Sequence, residues 1–263
     1  MFWKGSLSGA ILACAAVAFA PAPVRIILVG DSTIAVNSGW GAAFCADVVS
    51  QVTCVNMAKG GRSSGSYRAE GSWAGVMEAL RNNGGFQATY VLIQFGHNDQ
   101  PGKPGRSTDL ATEFPANLRR YVEEVREAGA QPVLITPLTR RSFQDGKVAD
   151  TLGPWADAVK QVAGAEHVPL LDLHEESLAA VQRMGPVEAN TLAAAPPPPE
   201  IAATAAGGNS APVPPAAAER NAPAAPRFDY THLGEKGAAY FARMVANELV
   251  RAVPDVKPYI SPE

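Results

Sequence analysis

Five short apolar runs, separated by amphipathic stretches, constrain this chain more than any other feature. They are 24–29, 52–57, 88–95, 131–136 and 167–173, and they are rich in Val, Ile and Leu. A strand with one wet face alternates polar and apolar residues, whereas a strand buried on both faces reads as a continuous apolar run. The stretches 40–50, 73–83, 112–128, 154–164 and 235–251 read as helices. The clearest is 112–128: Phe114, Leu118, Tyr121, Val122 and Val125 form one stripe, charged residues fall elsewhere, and Gly129 supplies a stop. Repeated β–α units predict one doubly wound α/β domain, a five-stranded parallel sheet with helices on both faces. At 263 residues and 47% apolar, the chain is long enough for a single sizeable core.

The two ends of this domain read differently. Met1 to Lys4 is a short basic start and Leu7 to Ala20 is apolar and alanine-rich, with A-x-A cleavage sites ending at Ala18 or Ala20. Residues 1–20 are therefore expected to be an export signal, too short for a comfortable membrane span, leaving a mature domain over 21–263 that is periplasmic or secreted. Cys14 follows Ile11-Leu12-Ala13, a loose echo of a lipoprotein signal, but is read as discarded with the signal peptide. Export leaves Cys45 and Cys54, which permit one disulfide in an oxidising compartment; two small buried thiols is the alternative. From about 194 to 226 the chain is almost all Pro, Ala and Gly. A segment with so few large apolar residues cannot offset its ordering entropy, so disorder is expected there.

Charge and histidine spacing exclude some functions. Lys and Arg number 22 against 25 Asp and Glu, with no basic run, so nucleic acid is not an expected partner. His97, His167, His174 and His232 are scattered, and none forms a metal-ligand pair with a cysteine at helix or turn spacing, so neither metal nor cofactor is expected. Oligomeric state is not legible.

The chemistry-bearing residues cluster where predicted strands end. The first run gives Gly30-Asp31-Ser32-Thr33, the second Lys59-Gly60-Gly61-Arg62-Ser63, the third Gly96-His97-Asn98-Asp99, and the turn before the last helix gives Asp229-Tyr230-Thr231-His232. In an open α/β sheet the crevice lies beyond the carboxyl ends of the strands. A serine hydroxyl needs an imidazole to take its proton and a carboxylate to hold that imidazole. Ser32, His232 and Asp229 supply these groups. Acyl transfer also creates an oxyanion that needs fixed donors, and the backbone N–H groups of Ser32 and Gly61 and the side-chain amide of Asn98 are available. Asp31 and Ser32 taken alone would more simply cap a helix. His97 is read as bracing its loop. Lys59, Arg62 and the pair Arg140-Arg141 are either solvated or hold a polar substrate.

These four blocks, in this order, resemble those of the SGNH (GDSL-type) hydrolases. The form Gly-Asp-Ser-Thr, the Gly61-Arg62-Ser63 block with a nearby Tyr67, and Gly96-His97-Asn98-Asp99 make the chain most similar to the rhamnogalacturonan acetylesterase family. The resemblance implies a flavodoxin-like sheet of order 2-1-3-4-5, Ser32 as nucleophile, Gly61 and Asn98 as oxyanion donors, and Asp229 with His232 completing a triad. It implies cofactor-free deacetylation of a plant cell-wall polysaccharide, with Arg62, Tyr67 and Arg140 as candidate substrate-binding residues. The rival readings are a lipase, arylesterase or thioesterase of the same fold, and a silent carbohydrate-binding module in the old cleft.

Overall fold

The computed structural model of the protein describes residues 1, 23–82, 84–212 and 227–261. The expected export signal and the 213–226 part of the Pro/Ala-rich segment lie outside the described residues. Five strands form one parallel sheet: β1 (Val24–Gly30), β2 (Val52–Asn56), β3 (Ala88–Gln94), β4 (Gln131–Ile135) and, after a small antiparallel hairpin of β5 (Phe143–Gln144) and β6 (Lys147–Val148), the short edge strand β7 (Leu170–Leu171). Their spatial order is β2-β1-β3-β4-β7, the expected 2-1-3-4-5 arrangement.

The apolar runs lack alternation because both sheet faces are covered. Ile26 and Leu28 pack on one face with helices α1 (Gly41–Ala46), α6 (Leu173–Asn190) and α8 (Glu235–Ala252). Their neighbours Ile27 and Val29 pack on the other with α2 (Ser64–Ala69), α3 (Ser72–Arg81), α4 (Glu113–Glu127) and α5 (Gly153–Ala165). All four side chains are fully buried. Each such side chain contributes about 1.5–3 kcal/mol, so the sheet is the thermodynamic centre of the molecule. Gly30 ends β1 against the β3 backbone, where a Cβ would lie 2.4 Å from the Gln94 carbonyl oxygen. Only glycine lets the chain leave the strand so close to its neighbour.

Three expectations need correction. The fifth run, 167–173, is not a full strand: only Leu170 and Leu171 pair with β4, and Asp172 then caps α6 by accepting from the Glu175 N–H. Helix α6 itself escaped the sequence pattern because Gly185, at φ 70°, and Pro186 break its stripe. The third correction concerns the Pro/Ala-rich segment, whose first part, 194–212, is ordered. Helix α7 (Pro199–Ala206) buries Ile201 against Ala193 and Phe228. That contact alone, worth about 2–3 kcal/mol, would not order eight residues at about 1–2 kcal/mol each. Hydrogen bonds to the β5–β6 hairpin complete the anchorage: Ser210 N–H to the Phe143 carbonyl, Gly146 N–H to the Gly208 carbonyl, and Asp145 N–H to Asn209 Oδ1.

Cys45 at the end of α1 and Cys54 in β2 form a disulfide, with Cα atoms 5.3 Å apart and a sequence separation of nine. Closing so short a loop is worth about 2–3 kcal/mol. Replacing both cysteines by serine is expected to lower unfolding free energy by about that amount in urea titrations, with an m-value unchanged or slightly raised as the unfolded chain loses its cross-link. An unchanged midpoint would show that the bridge is energetically silent.

Candidate active site

All four sequence blocks converge on the carboxyl edge of the sheet. The turn after β1 is held from below. Asp31 Oδ1 accepts from the Thr33 N–H at 2.8 Å and Thr33 Oγ at 2.7 Å; Gln94 Nε2 donates to Thr33 Oγ at 3.3 Å; Trp40 Nε1 donates to Gln94 Oε1 at 3.0 Å. Ser32 sits on top of this buried chain with a fractional exposure of 8%. Its side chain faces the second block, since a Cβ on Gly60 would lie 3.6 Å from the Ser32 Cβ. Ser38 ties the turn to the far end of the sequence: its Oγ donates to the Ser32 carbonyl at 2.7 Å, and its own carbonyl accepts from the Leu233 N–H at 2.9 Å. The residue after His232 is therefore one hydrogen-bonded step from the serine turn.

The Asp229–His232 turn is organised by its own carboxylate. Asp229 Oδ1 accepts from the N–H groups of Thr231 and His232 at 2.7 and 2.6 Å, and Oδ2 lies 2.6 Å from His232 Nδ1. Burial pushes the Asp229 carboxyl up, but the hydrogen bonds from His232 and Thr231 and the imidazole's charge outweigh it and bring it to about 2. The carboxylate is ionised throughout the neutral range and fixes one ring nitrogen, which leaves Nε2 to exchange protons.

The donors lie opposite. Gly61 has φ +78°, a left-handed conformation that glycine adopts without strain, and a capping box at Ser63 and Ser66 starts α2 directly after it. Asn98 spends one amide hydrogen on the Arg62 carbonyl, at 3.1 Å, and keeps a second. Arg106 Nη1 donates to the Gly61 carbonyl at 3.2 Å. Beneath them Asp99, fully buried, accepts from the Ser64 N–H at 3.0 Å, Ser64 Oγ at 2.6 Å and Thr108 Oγ at 3.0 Å. Burial dominates there and pushes the Asp99 carboxyl up to about 6.

The remaining candidates divide. Arg62 pairs with Glu70 at 2.9 Å and lines a cleft of about 520 Å³ with Gly61, Ser66, Gly105 and Arg106. Arg140, partly exposed, donates to Thr151 Oγ at 2.7 Å and lies in the electrostatic field of Asp31 and Asp229. Tyr67 does not reach the cleft. It is fully buried against Phe95, its hydroxyl donates to the Met57 carbonyl at 2.7 Å, and burial pushes its phenol up. An aromatic residue at the fourth position of a short helix, on the face toward the core, is packing rather than recognition. His97 is buried with Nδ1 3.6 Å from Asp31 Oδ2, beyond hydrogen-bond reach, and burial holds its imidazole below the ordinary value.

Sequence reasoning passed over Lys103 and Arg106, which sit in a loop with no motif. It also left Arg140 and Arg141 undivided, although adjacent residues in an extended segment point opposite ways. Arg141 is the inward one: it is fully buried, and burial brings its guanidinium down to about 10 against the pull of Asp229. Among the described residues, no three of His, Cys, Asp and Glu are grouped as a metal site would require. No helix among them is long and apolar enough to cross a membrane.

The model of the GDSL-like lipase/acylhydrolase family matches residues 28–240. The rhamnogalacturonan acetylesterase RhgT of Bacillus subtilis (strain 168) is 34% identical over 232 residues, covering 85% of this chain and 88% of that protein. Among solved structures, YxiM of Bacillus subtilis superposes with a TM-score of 0.63 at 23% identity, over 87% of this chain and 56% of that one. The acetylxylan esterase Axe2 of Geobacillus stearothermophilus, in a catalytic mutant, superposes with a TM-score of 0.56 at 16% identity, over 86% and 93%. These two structural likenesses show the fold. The family match, which spans every block of the site, shows that this chain is an ester hydrolase of the GDSL-like lipase/acylhydrolase family.

Proposed function

We propose that the protein is an exported carbohydrate O-acetylesterase that removes acetyl groups from rhamnogalacturonan through a Ser-His-Asp acyl-enzyme. The observation that carries the mechanism is the Asp229–His232 pair, joined by Ser38 to the Ser32 turn. His232 Nε2 takes the Ser32 hydroxyl proton as Oγ bonds to the acetyl carbon. The carbonyl oxygen becomes an oxyanion held by the N–H groups of Ser32 and Gly61 and the free amide hydrogen of Asn98. Collapse breaks the bond to the sugar oxygen, which takes the proton from His232. Water then repeats the sequence on the acetyl-serine, giving acetate and free Ser32.

Two observations support the substrate. The similarity to RhgT extends over most of both chains. The rim is also cationic although the chain carries a formal charge of −3. Lys103, Arg106 and Arg140 lie close together, with Arg62 in the adjoining cleft paired to Glu70, and burial, then the charges of Arg140 and Arg106, hold the Lys103 ammonium below its ordinary value. A cationic rim suits a polymer that carries uronate carboxylates better than neutral xylan or mannan. Export is supported by the amino-terminal signal pattern and by the disulfide, which persists in an oxidising compartment.

Acetate release from acetylated rhamnogalacturonan, homogalacturonan, xylan and mannan tests the substrate directly. Rhamnogalacturonan is expected to be fastest, and its kcat/KM should fall several-fold with added salt while hydrolysis of p-nitrophenyl acetate does not. Faster release from xylan, or salt-insensitive release from rhamnogalacturonan, would refute the polyuronide assignment. Preference for octanoyl over acetyl esters would instead indicate a lipase.

Ser32→Ala and His232→Ala are each expected to cost several orders of magnitude in kcat, with little further loss when combined. Asn98→Ala should cost about 100- to 1000-fold. A folded Asn98→Ala enzyme with parental kcat would remove Asn98 from the oxyanion site.

Asp99 gives a pH signature. Its carboxyl is raised in the folded protein, from 3.8 to about 6, so the native state holds the proton more tightly than the unfolded chain. Its contribution to stability is greatest below pH 3.8 and is lost as pH rises through about 6. The stability difference between the parent and Asp99→Asn, measured by urea titration, is expected to shrink over that interval. A difference independent of pH would contradict the raised value.

A further inference from the structure

The turn that carries Asp229 and His232 has two sides. Its N–H groups point toward the Asp229 carboxylate, as described above. Its carbonyls point the other way, and one residue binds all four. Arg141 Nη2 donates to the Asp229 carbonyl at 3.0 Å and to the His232 carbonyl at 2.8 Å, Nη1 donates to the Thr231 carbonyl at 3.2 Å, and the Arg141 backbone N–H donates to the Tyr230 carbonyl at 2.9 Å. Four consecutive carbonyl oxygens turned to one side resemble the inner face of a cation-binding loop, and the planar fork of a guanidinium is the side chain best able to span them. Arg141 is fully buried. It stands on the loop that leaves β4, 88 to 91 positions from the carbonyls it binds.

We infer that Arg141 is a positioning residue of the esterase, a clamp that fixes the Asp229–His232 turn to the sheet and so sets where the imidazole stands relative to Ser32. The inference rests on the triad reading above. The turn needs such a hold. Behind it, Tyr230 is secured through its hydroxyl to the Ala211 carbonyl, at 2.8 Å, and Leu233 bridges to Ala193. These contacts restrain the residues on either side of the pair. Among the described residues the backbone between them is bound on two opposite faces by the Asp229 carboxylate and by Arg141, with one further bond, from the Ala194 N–H to the His232 carbonyl at 3.3 Å. Removing the guanidinium takes these donors from the Asp229 and Thr231 carbonyls and leaves the His232 carbonyl with the Ala194 N–H alone, so the half-buried turn is free to shift toward other donors. Lysine carries the charge but has a point-like ammonium in place of the fork, so it replaces some of these bonds and not the plane that orders them.

The test is kinetic and spectroscopic. Arg141→Met and Arg141→Lys are compared with the parent, well below their thermal midpoints, after near-ultraviolet circular dichroism has confirmed the fold. Kinetics are followed on p-nitrophenyl acetate, which makes no use of the cationic rim. Arg141→Met is expected to lose about 100-fold in kcat with KM changed by less than about threefold, as for a misplaced catalytic group rather than lost binding. Arg141→Lys should fall between it and the parent. The low-field proton resonance of the His232 Nδ1–H, assigned by its loss in Asp229→Asn, should broaden or vanish in Arg141→Met and return in part in Arg141→Lys. If Arg141→Met does not fold, Arg141→Lys decides on the same two readouts. Folded variants that keep parental kcat, or that keep the resonance while losing only thermal stability, would overturn the clamp. A parent that hydrolyses no ester would instead overturn the triad reading, and the resonance would still report on whether Arg141 orders the pair.

Discussion

A parallel sheet covered on both faces leaves only its ends for chemistry. In this molecule the helices take up both faces, and the buried side chains of β1, β3 and β4 commit those strands to packing. What reaches solvent at the carboxyl edge is a set of loops with no core of their own. Their arrangement depends on hydrogen bonds that run from the sheet outward, such as the chain from Trp40 through Gln94 and Thr33 to Asp31 beneath Ser32. The Ser32 turn is therefore tied by hydrogen bonds to the strands beneath it. This is the form of pre-organisation that acyl transfer requires, because donors that must move to meet an oxyanion stabilise it less.

The turn near the carboxyl terminus is a harder problem, since no strand leads into it. The structure solves it with charge. Burying a guanidinium or a carboxylate costs several kcal/mol per ion unless hydrogen bonds are supplied. Here the Asp229 carboxylate takes backbone N–H groups and the Arg141 guanidinium takes backbone carbonyls of the same few residues. Each ion satisfies the peptide dipoles the other leaves. Asp99 plays a comparable part for the opposite wall, holding the start of α2 behind Gly61.

The legible parts of the sequence were those governed by period and by motif. Both covered faces and the helices over 113–127, 153–165 and 235–252 follow from continuous apolar runs and a 3.6-residue stripe, whereas the strand order was implied by the resemblance of the four blocks to the SGNH hydrolases. The four blocks stood out in the sequence because a hydrolytic site of the proposed kind needs particular residue types at strand ends. Tyr67 was misread because proximity in sequence to a glycine-rich block says nothing of which helix face a side chain takes. Helix α6 was hidden by the Gly185-Pro186 kink. Helix α7 was hidden because its order comes from the hairpin 143–148, a tertiary partner that no local window contains. The division of labour between Arg140 and Arg141 was invisible for a similar reason: an Arg-Arg pair has no period, and the carbonyls that distinguish the two lie near residue 230.

Strand β2 closes one side of the sheet, and its outward groups alternate between half-buried and exposed. An unpaired sheet edge is a template on which another chain can add a strand, and proteins suppress it by shortening, charging or covering it. This edge has none of the usual charges: Val52-Thr53-Cys54-Val55-Asn56 is neutral, and Val55 is exposed. The Cys45–Cys54 bridge fastens the middle of that strand to α1 and denies it the freedom to peel away and recruit a partner. The covalent link thus prevents this neutral edge strand from leaving the sheet independently of α1.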